Sequence, residues 1–224
     1  MRPPSIVTAS AASGSASPRP THFLALRLGN PALHAHVAEL QRAVIARSPS
    51  LADCAVPPIK SHLTTFVLHA PDDEAVTAAA EALDACRPLA AAHFAEAPRV
   101  QLRGLSSFGR NVLYADVVPD DDAARLRAFV AAVTEEFVAR GVLANGAQKA
   151  WTPHLTLLKT SRVKGRKGGR ALAIRPQDWA GLDEAADLGT HLLPTLALCA
   201  MAGQQPGGYY VQVSEIPLMG SGGV

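Results

Sequence analysis

The pattern of hydrophobic and polar positions along the chain predicts short strands that alternate with helices. Residues 22–28, "HFLALRL", form an apolar strand. Apolar residues then recur at helical spacing over residues 32–47, which predicts a helix. The residues before it favour a helix start, because Asn30 can act as the N-cap and the proline after it suits the first turn. Two more helices are predicted over residues 72–93 and 120–141, because acidic residues stand at both starts.

The rest of the pattern predicts strand pairs and nearly repeats. Two strands surround a turn within residues 99–118, and a weaker helical stretch covers residues 176–188. Two last strands lie within residues 193–202 and 208–218. Each half of the chain thus has a helix, a strand, a further helix and a strand pair. This order predicts an α+β fold, bilobal, with duplicated β-α-β lobes whose two antiparallel-rich sheets form a central groove.

Two of the apolar strands carry the same triplet, His-Leu-Thr, in the stretches "SHLTTFVLHA" and "WTPHLTLLKT". Side chains alternate along a strand, so His62 and Thr64 share one face of the first strand. By the same rule His154 and Thr156 share one face of the second. If the two lobes meet as predicted, the groove holds two imidazoles and two hydroxyls.

This set of groups suits cleavage of a phosphodiester. Histidine titrates near neutral pH, so one imidazole can take the proton of the attacking oxygen while the other protonates the leaving oxygen. The hydroxyls can donate to the phosphoryl oxygens, where charge builds in the transition state. We expect no metal and no cofactor, because no third histidine or acidic cluster accompanies either motif.

A structural role for these histidines is the alternative. Eight histidines give about one H-x-[ST] match by chance, so a single motif carries little weight. Two identical triplets at equivalent places in a repeated topology favour the catalytic interpretation.

Three neighbouring residues are candidates for substrate binding. Lys60 stands two residues before His62, where it can attract a phosphate or remain a solvated lysine. Phe66 is expected on the face of His62, where it lines a base pocket or packs in the core. Trp151 either stacks on a base or packs in the core. A basic loop over residues 162–170 is either a lid for an oligonucleotide or a solvated loop.

Composition changes this picture little. Hydrophobic residues make up 48% and charged residues 18%, which is typical of a globular protein. The net charge of +2 gives no strong general attraction to nucleic acid or membranes, so phosphate recognition must be local. Three widely spaced cysteines favour a reducing compartment, and no stretch reaches transmembrane length. We expect a cytoplasmic or nuclear protein.

Both ends of the chain differ from its middle. Residues 1–20 are rich in Ser, Ala and Pro and lack acids, which fits a disordered tail or an organellar transit peptide. Residues 219–224 are expected to be a flexible tail. The folded domain is therefore expected over residues 21–218.

These motifs resemble those of the 2H phosphoesterase superfamily, and most of all the RNA ligase-like central domain of A-kinase anchor protein 7. The supporting stretches are "SHLTTFVLHAPDDEAV", "LRGLSSFGRNVLYADV", "WTPHLTLLKTSR" and "LCAMAGQQPGGYYVQVSEIPL". The resemblance covers roughly residues 21–218 and implies a bilobal fold with the two motifs facing each other. It also implies that His62, Thr64, His154 and Thr156 form the catalytic and phosphate-binding set.

The resemblance implies a metal-independent phosphodiesterase for 2′,5′-linked or cyclic-phosphate nucleotides or short RNA. The alternative is a non-catalytic module that binds or senses AMP-type nucleotides, and RNA end-joining is disfavoured because an energy source is lacking. A nucleotide or short oligonucleotide is the expected partner, with no membrane. The chain shows no kinase-anchoring amphipathic helix at its end, so we expect no anchoring role, and a monomer.

Overall fold

The computed structural model describes residues 19–144, 151–163, 172–182 and 186–219. Residues 1–18 of the predicted N-terminal tail, residues 220–224 of the predicted C-terminal tail and most of the predicted basic loop lie outside this part of the chain. The helices and strands of the described residues are β1 (His22–Arg27), α1 (Pro31–Arg47), β2 (His62–Leu68), α2 (Asp73–Asp84), α3 (Arg87–His93), β3 (Arg99–Phe108), β4 (Val112–Val117), α4 (Asp121–Ala139), β5 (His154–Lys159), α5 (Pro176–Trp179), β6 (Asp187–Leu192), β7 (Thr195–Ala200) and β8 (Gln212–Pro217).

The long helices begin where their capping residues stand. The Asn30 side chain accepts a hydrogen bond of 2.8 Å from the backbone N–H of Ala32, at the start of α1. Asp72 and Asp120 cap α2 and α4 in the same way. These side chains satisfy backbone donors that have no partner inside the helix, and the negative charges of the two aspartates interact favourably with the helix dipole.

Two predicted elements differ from the structure. The helix predicted over residues 72–93 is two helices, because Pro88 has no N–H and its ring clashes with the carbonyl of Asp84, where α2 ends. The helix predicted over residues 176–188 is confined to α5, and β6 was not predicted at all. The first two residues of β6 had been included in that predicted helix, and its other residues had been left between the helix and the strand predicted from residue 193.

The strands form one antiparallel sheet of eight strands, in the order β6-β3-β4-β5-β2-β1-β7-β8. The α+β class is confirmed. The two predicted sheets are two four-stranded halves of this single sheet, and each half takes strands from both halves of the chain. They are continuous because β2 pairs with β5 in the middle, where Leu63 lies opposite Leu155. The two His-Leu-Thr strands are therefore direct neighbours.

The helices cover one face of this sheet, which we call the helix-covered face. Leu63 and Leu155 lie in the large core there, with apolar residues of α1, α2 and α4. The opposite face, which we call the open face, has a smaller apolar cluster on β1 and β7 that includes Phe23 and Tyr209. The side chains of His62 and His154 lie on this open face, since they alternate with the core leucines.

A β-bulge follows the threonine in each His-Leu-Thr strand. On β2, Thr64 and Phe66 pair with consecutive residues of β1, so Thr65 is the extra residue. On β5, Thr156 and Leu158 pair with consecutive residues of β4, so Leu157 is the extra residue. A bulge shifts the alternation of the residues after it by one position.

The first bulge corrects the prediction for Phe66. Simple alternation placed Phe66 beside His62, but its side chain is buried on the helix-covered face, where its ring lies 5.1 Å from that of Phe137. It does not line the groove. Simple alternation would place Lys159 among the core leucines, but it follows the second bulge and is exposed.

None of the helices in the described part of the chain is long and apolar enough to cross a membrane. The three cysteines are buried free thiols.

Candidate active site

The register between β2 and β5 brings both motifs together. Leu63 lies opposite Leu155 in an antiparallel pair, so His62 neighbours Thr156 and Thr64 neighbours His154. Directly opposite residues have Cβ atoms roughly 5 Å apart, while the diagonal pair of histidines is separated by roughly 7–8 Å between Cα atoms. The four side chains of the two motifs thus lie close together on the open face.

The imidazole of His62 is held by a hydrogen bond at each nitrogen. Nδ1 lies 2.7 Å from the carbonyl oxygen of Lys60, and Nε2 lies 3.0 Å from Oγ1 of Thr64. A carbonyl oxygen only accepts, so Nδ1 carries the proton and Nε2 of the neutral ring accepts from the threonine hydroxyl. The nitrogen near Thr64 is therefore the one that can take up a proton.

His154 repeats half of this arrangement. Its Nδ1 lies 2.8 Å from the carbonyl oxygen of Thr152, which again stands two residues earlier and again only accepts. Nδ1 is the donor, and Nε2 remains for a ligand. Both imidazoles are thus oriented by their own backbone and present the same nitrogen to the groove.

Each histidine also lies between two aromatic rings. The ring of His62 has centroid distances of 5.1 Å to Phe23 and 5.5 Å to Tyr210. The ring of His154 has centroid distances of 4.9 Å to Phe108 and 5.0 Å to Tyr114. These rings fix the imidazoles and remove water from them, which disfavours the charged form.

Burial lowers the pKa of His62 to about 4, and the positive charges of His154 and Lys159 act in the same direction. Burial also lowers the pKa of His154, and Lys159 adds to this, but the carboxylate of Asp116 opposes it. Asp116 is the residue of β4 that pairs with His154. Burial raises the pKa of Asp116, and His154 opposes that shift. The two histidines therefore differ in their electrostatic surroundings.

The substrate-binding candidates have different positions. The Lys60 ammonium lies 4.5 Å from the ring centre of Tyr210, and burial together with Arg162 lowers its pKa. Its position beside His62 allows it to meet a phosphate. The indole N–H of Trp151 donates a 2.7 Å hydrogen bond to the carbonyl oxygen of Thr64, and the ring packs against the large core. These contacts match the packing alternative for Trp151.

Sequence reasoning missed several residues that line the site. Strand pairing or a loop, rather than sequence proximity, brings most of them to the histidines, while Lys159 follows the second motif on β5 itself. They are Phe23, Arg27, Phe108, Tyr114, Asp116, Lys159 and Tyr210. Asp116 could have been selected from the sequence, because a carboxylate in the otherwise apolar strand "VLYADV" is unusual unless it has a partner.

In the part of the chain that the structure describes, no three His, Cys, Asp or Glu side chains cluster as ligands of a metal ion.

Comparison with known proteins identifies the family. The model of the AKAP7 2'5' RNA ligase-like domain matches residues 20–218. This chain belongs to that family. The match spans the whole of residues 21–218, which had been expected to fold.

Solved structures show the same fold at low sequence identity. The crystal structure of TT0787 from Thermus thermophilus is 22% identical, with a TM-score of 0.56 over 90% of this chain and 99% of that one. E. coli LigT complexed with 3'-AMP is 13% identical, with a TM-score of 0.51 over 88% of this chain and 97% of LigT. LigT complexed with NADP+ has the same TM-score at 14% identity, over 89% of this chain and 98% of LigT.

Proposed function

We propose that this protein is a metal-independent phosphodiesterase that cleaves 2′,5′-linked or cyclic-phosphate nucleotides or short RNA. The observation that carries the proposal is the single register pair at the centre of the sheet. It sets His62, Thr64, His154 and Thr156 around one space on one face. Membership of the RNA ligase-like family supports a nucleotide phosphodiester as the substrate.

The two histidines act as acid and base. The Nε2 atom of one takes the proton of the attacking oxygen, which belongs to water or a ribose hydroxyl, as that oxygen bonds to phosphorus. The protonated Nε2 of the other gives its proton to the leaving oxygen as the second P–O bond breaks. The diagonal separation of roughly 7–8 Å leaves room for the phosphate between them. The bonds from both Nδ1 atoms to backbone carbonyls hold the rings in position.

The threonines stabilise the charge that develops on the phosphoryl oxygens. Thr64 and Thr156 can each donate a hydroxyl hydrogen bond to a non-bridging oxygen. The Thr64 hydroxyl donates to His62 in the free protein, and a phosphate would take over that bond. Trp151 positions Thr64 through the bond to its carbonyl oxygen, and Lys60 attracts the phosphate.

A non-catalytic nucleotide-binding module is the second candidate, and one observation favours it. The pKa values of both histidines are lowered in the free protein, so neither ring is predominantly protonated at neutral pH. An acid would then be available only when a bound phosphate restores the proton. LigT is crystallised with 3'-AMP, which supports a nucleotide ligand under either candidate.

A substrate panel separates the two candidates. Turnover of 2′,5′-oligoadenylate, 2′,3′-cyclic nucleotides and short RNA is measured beside calorimetry with AMP, with the H62A/H154A double variant as control. A phosphodiesterase turns over at least one substrate, in EDTA as well, and the double variant does not. AMP binding without turnover of any panel member establishes the binding module instead.

A further inference from the structure

The cross-strand neighbours of the two histidines carry opposite charges. The neighbour of His62 on β1 is Arg27, and the neighbour of His154 on β4 is Asp116. The two strand pairs are equivalent in the sheet, since β1 lies beside β2 as β4 lies beside β5. Two otherwise similar half-sites therefore have a guanidinium in one and a carboxylate in the other.

Asp116 is placed to act on His154. Residues that pair directly across antiparallel strands have Cβ atoms roughly 5 Å apart, which is within reach of a charge interaction. The carboxylate favours the protonated imidazole, and together with the hydrogen bond from Nδ1 to the Thr152 carbonyl it raises the pKa of His154 against burial and Lys159. The titratable and charged groups facing His154 from the elements packed on it are Asp116 and Tyr114 of β4, His62 of β2 and Lys159 of β5.

The surroundings of His62 favour a neutral ring. The charges that act on it most, those of His154 and Lys159, are positive, and its burial is deeper than that of His154. Two further cations lie on its side of the site. Lys60 lies over the ring of Tyr210, and Arg27 lies over Tyr209 with Cζ 4.4 Å from the ring centre.

We propose that Asp116 is a positioning residue that favours the catalytic proton on His154 over His62, so that His154 is the general acid and His62 the general base. This inference rests on the proposed phosphodiesterase function. His62 Nε2 accepts the proton of the attacking oxygen, and His154 Nε2 gives its proton to the leaving oxygen, while Asp116 transfers none. The attacking group then binds on the β1–β2 side of the groove and the leaving group on the β4–β5 side.

NMR titration of the histidine rings tests the Asp116 contact without turnover. The variants are Asp116→Asn, which removes the charge at nearly constant shape, and Asp116→Glu, which keeps it. Glu135→Gln is the matched control, because Glu135 is an exposed carboxylate of α4 on the helix-covered face. The D116N variant is expected to titrate His154 at lower pH than the wild type and to leave His62 nearly unchanged. An unchanged His154 titration in a folded D116N variant overturns the role of Asp116.

The pH profile of kcat/KM separates the two assignments of acid and base. With His154 as the acid, D116N moves the alkaline limb to lower pH, with a loss of about three- to tenfold at pH 8 and little change in the maximum. If His154 is instead the base, it must be neutral to react, and Asp116 favours its protonated form. The D116N variant would then have more enzyme in the reactive form, and the maximum of kcat/KM would rise. The pH profile of the D116E variant should be closer to the wild-type profile than that of D116N. The profile of the E135Q control should match the wild-type profile.

Failure of the proposed function is distinguishable from failure of this inference. A wild-type protein that turns over no member of the substrate panel rules out the phosphodiesterase and the acid–base roles with it, whatever the NMR titration shows for the Asp116 contact. A wild-type protein that turns over, with a D116N profile that is unchanged or raised at its maximum, keeps the function and overturns the assignment.

Discussion

The half-sites around His62 and His154 have the same backbone construction. Each histidine donates from Nδ1 to a carbonyl two residues earlier, lies between two aromatic rings and is followed by a threonine and a β-bulge. They differ in what surrounds this construction. His62 is more deeply buried and accepts from Thr64, whereas His154 pairs with the carboxylate of Asp116. The comparison teaches that a duplicated backbone can orient two identical groups while unlike neighbours give them different electrostatic surroundings.

The largest expected effects come from the imidazoles themselves. His62→Ala and His154→Ala should each lower kcat by about 10²- to 10⁴-fold, because each removes one proton transfer. Binding of AMP should change far less, since the threonines and Lys60 remain. Measurement of kcat beside calorimetry checks this. Near-complete activity in either variant would show that the two half-sites are not both catalytic.

The threonines should have the next largest effects. Thr64→Val and Thr156→Val each remove one hydroxyl donor to the phosphoryl group, with an expected loss in kcat of about tenfold to several hundredfold. Thr64→Val should cost more, because that hydroxyl also bonds to His62. The serine variants keep the donor and should retain most of the activity. Equal rates for the serine and valine variants would contradict the donor role.

Trp151 offers a smaller and more specific effect. Trp151→Phe keeps an aromatic ring but removes the N–H that bonds to the Thr64 carbonyl. Stability should fall by about 1–3 kcal/mol, since a partly buried acceptor loses its partner, and kcat should fall severalfold with KM nearly unchanged. Denaturant unfolding and steady-state kinetics measure both. A variant with unaltered stability and a strongly raised KM would indicate base stacking instead.

Phe66 should have the smallest effect on the reaction. Phe66→Leu loses its contact with Phe137 on the helix-covered face, so stability should fall by about 1 kcal/mol. KM and kcat should stay within about twofold of the wild type once the variant is folded. Thermal unfolding and the same kinetic assay test the pair of expectations. A selective rise in KM would instead indicate that Phe66 contacts the substrate in the groove.

Features of the fold and the site that depend on local chemistry could be predicted from the sequence. The caps at Asn30, Asp72 and Asp120 act on their own helices, and the alternation of His62 with Leu63 depends on one strand alone. Such features need no knowledge of what lies across the sheet. The two motifs were expected to face one groove, and the structure sets them on neighbouring strands.

The errors and omissions depend on pairing between distant parts of the chain. The bulge at Thr65 exists only relative to β1, so a rule of strict alternation placed Phe66 on the wrong face. The pairing of Asp116 with His154 is likewise set by the register of β4 on β5. Two separate sheets were expected because the Leu63–Leu155 pair that joins the halves cannot be identified before the topology is known.

The most direct test of the account uses a leaving group that needs no acid. The H62A and H154A variants are assayed on a nucleoside phosphodiester with a p-nitrophenyl leaving group and on the same nucleotide with a ribose leaving group. We predict that H154A recovers to within roughly tenfold of the wild type on the p-nitrophenyl ester, while H62A stays at least about 100-fold impaired on both. Recovery of H62A with continued impairment of H154A would contradict the account.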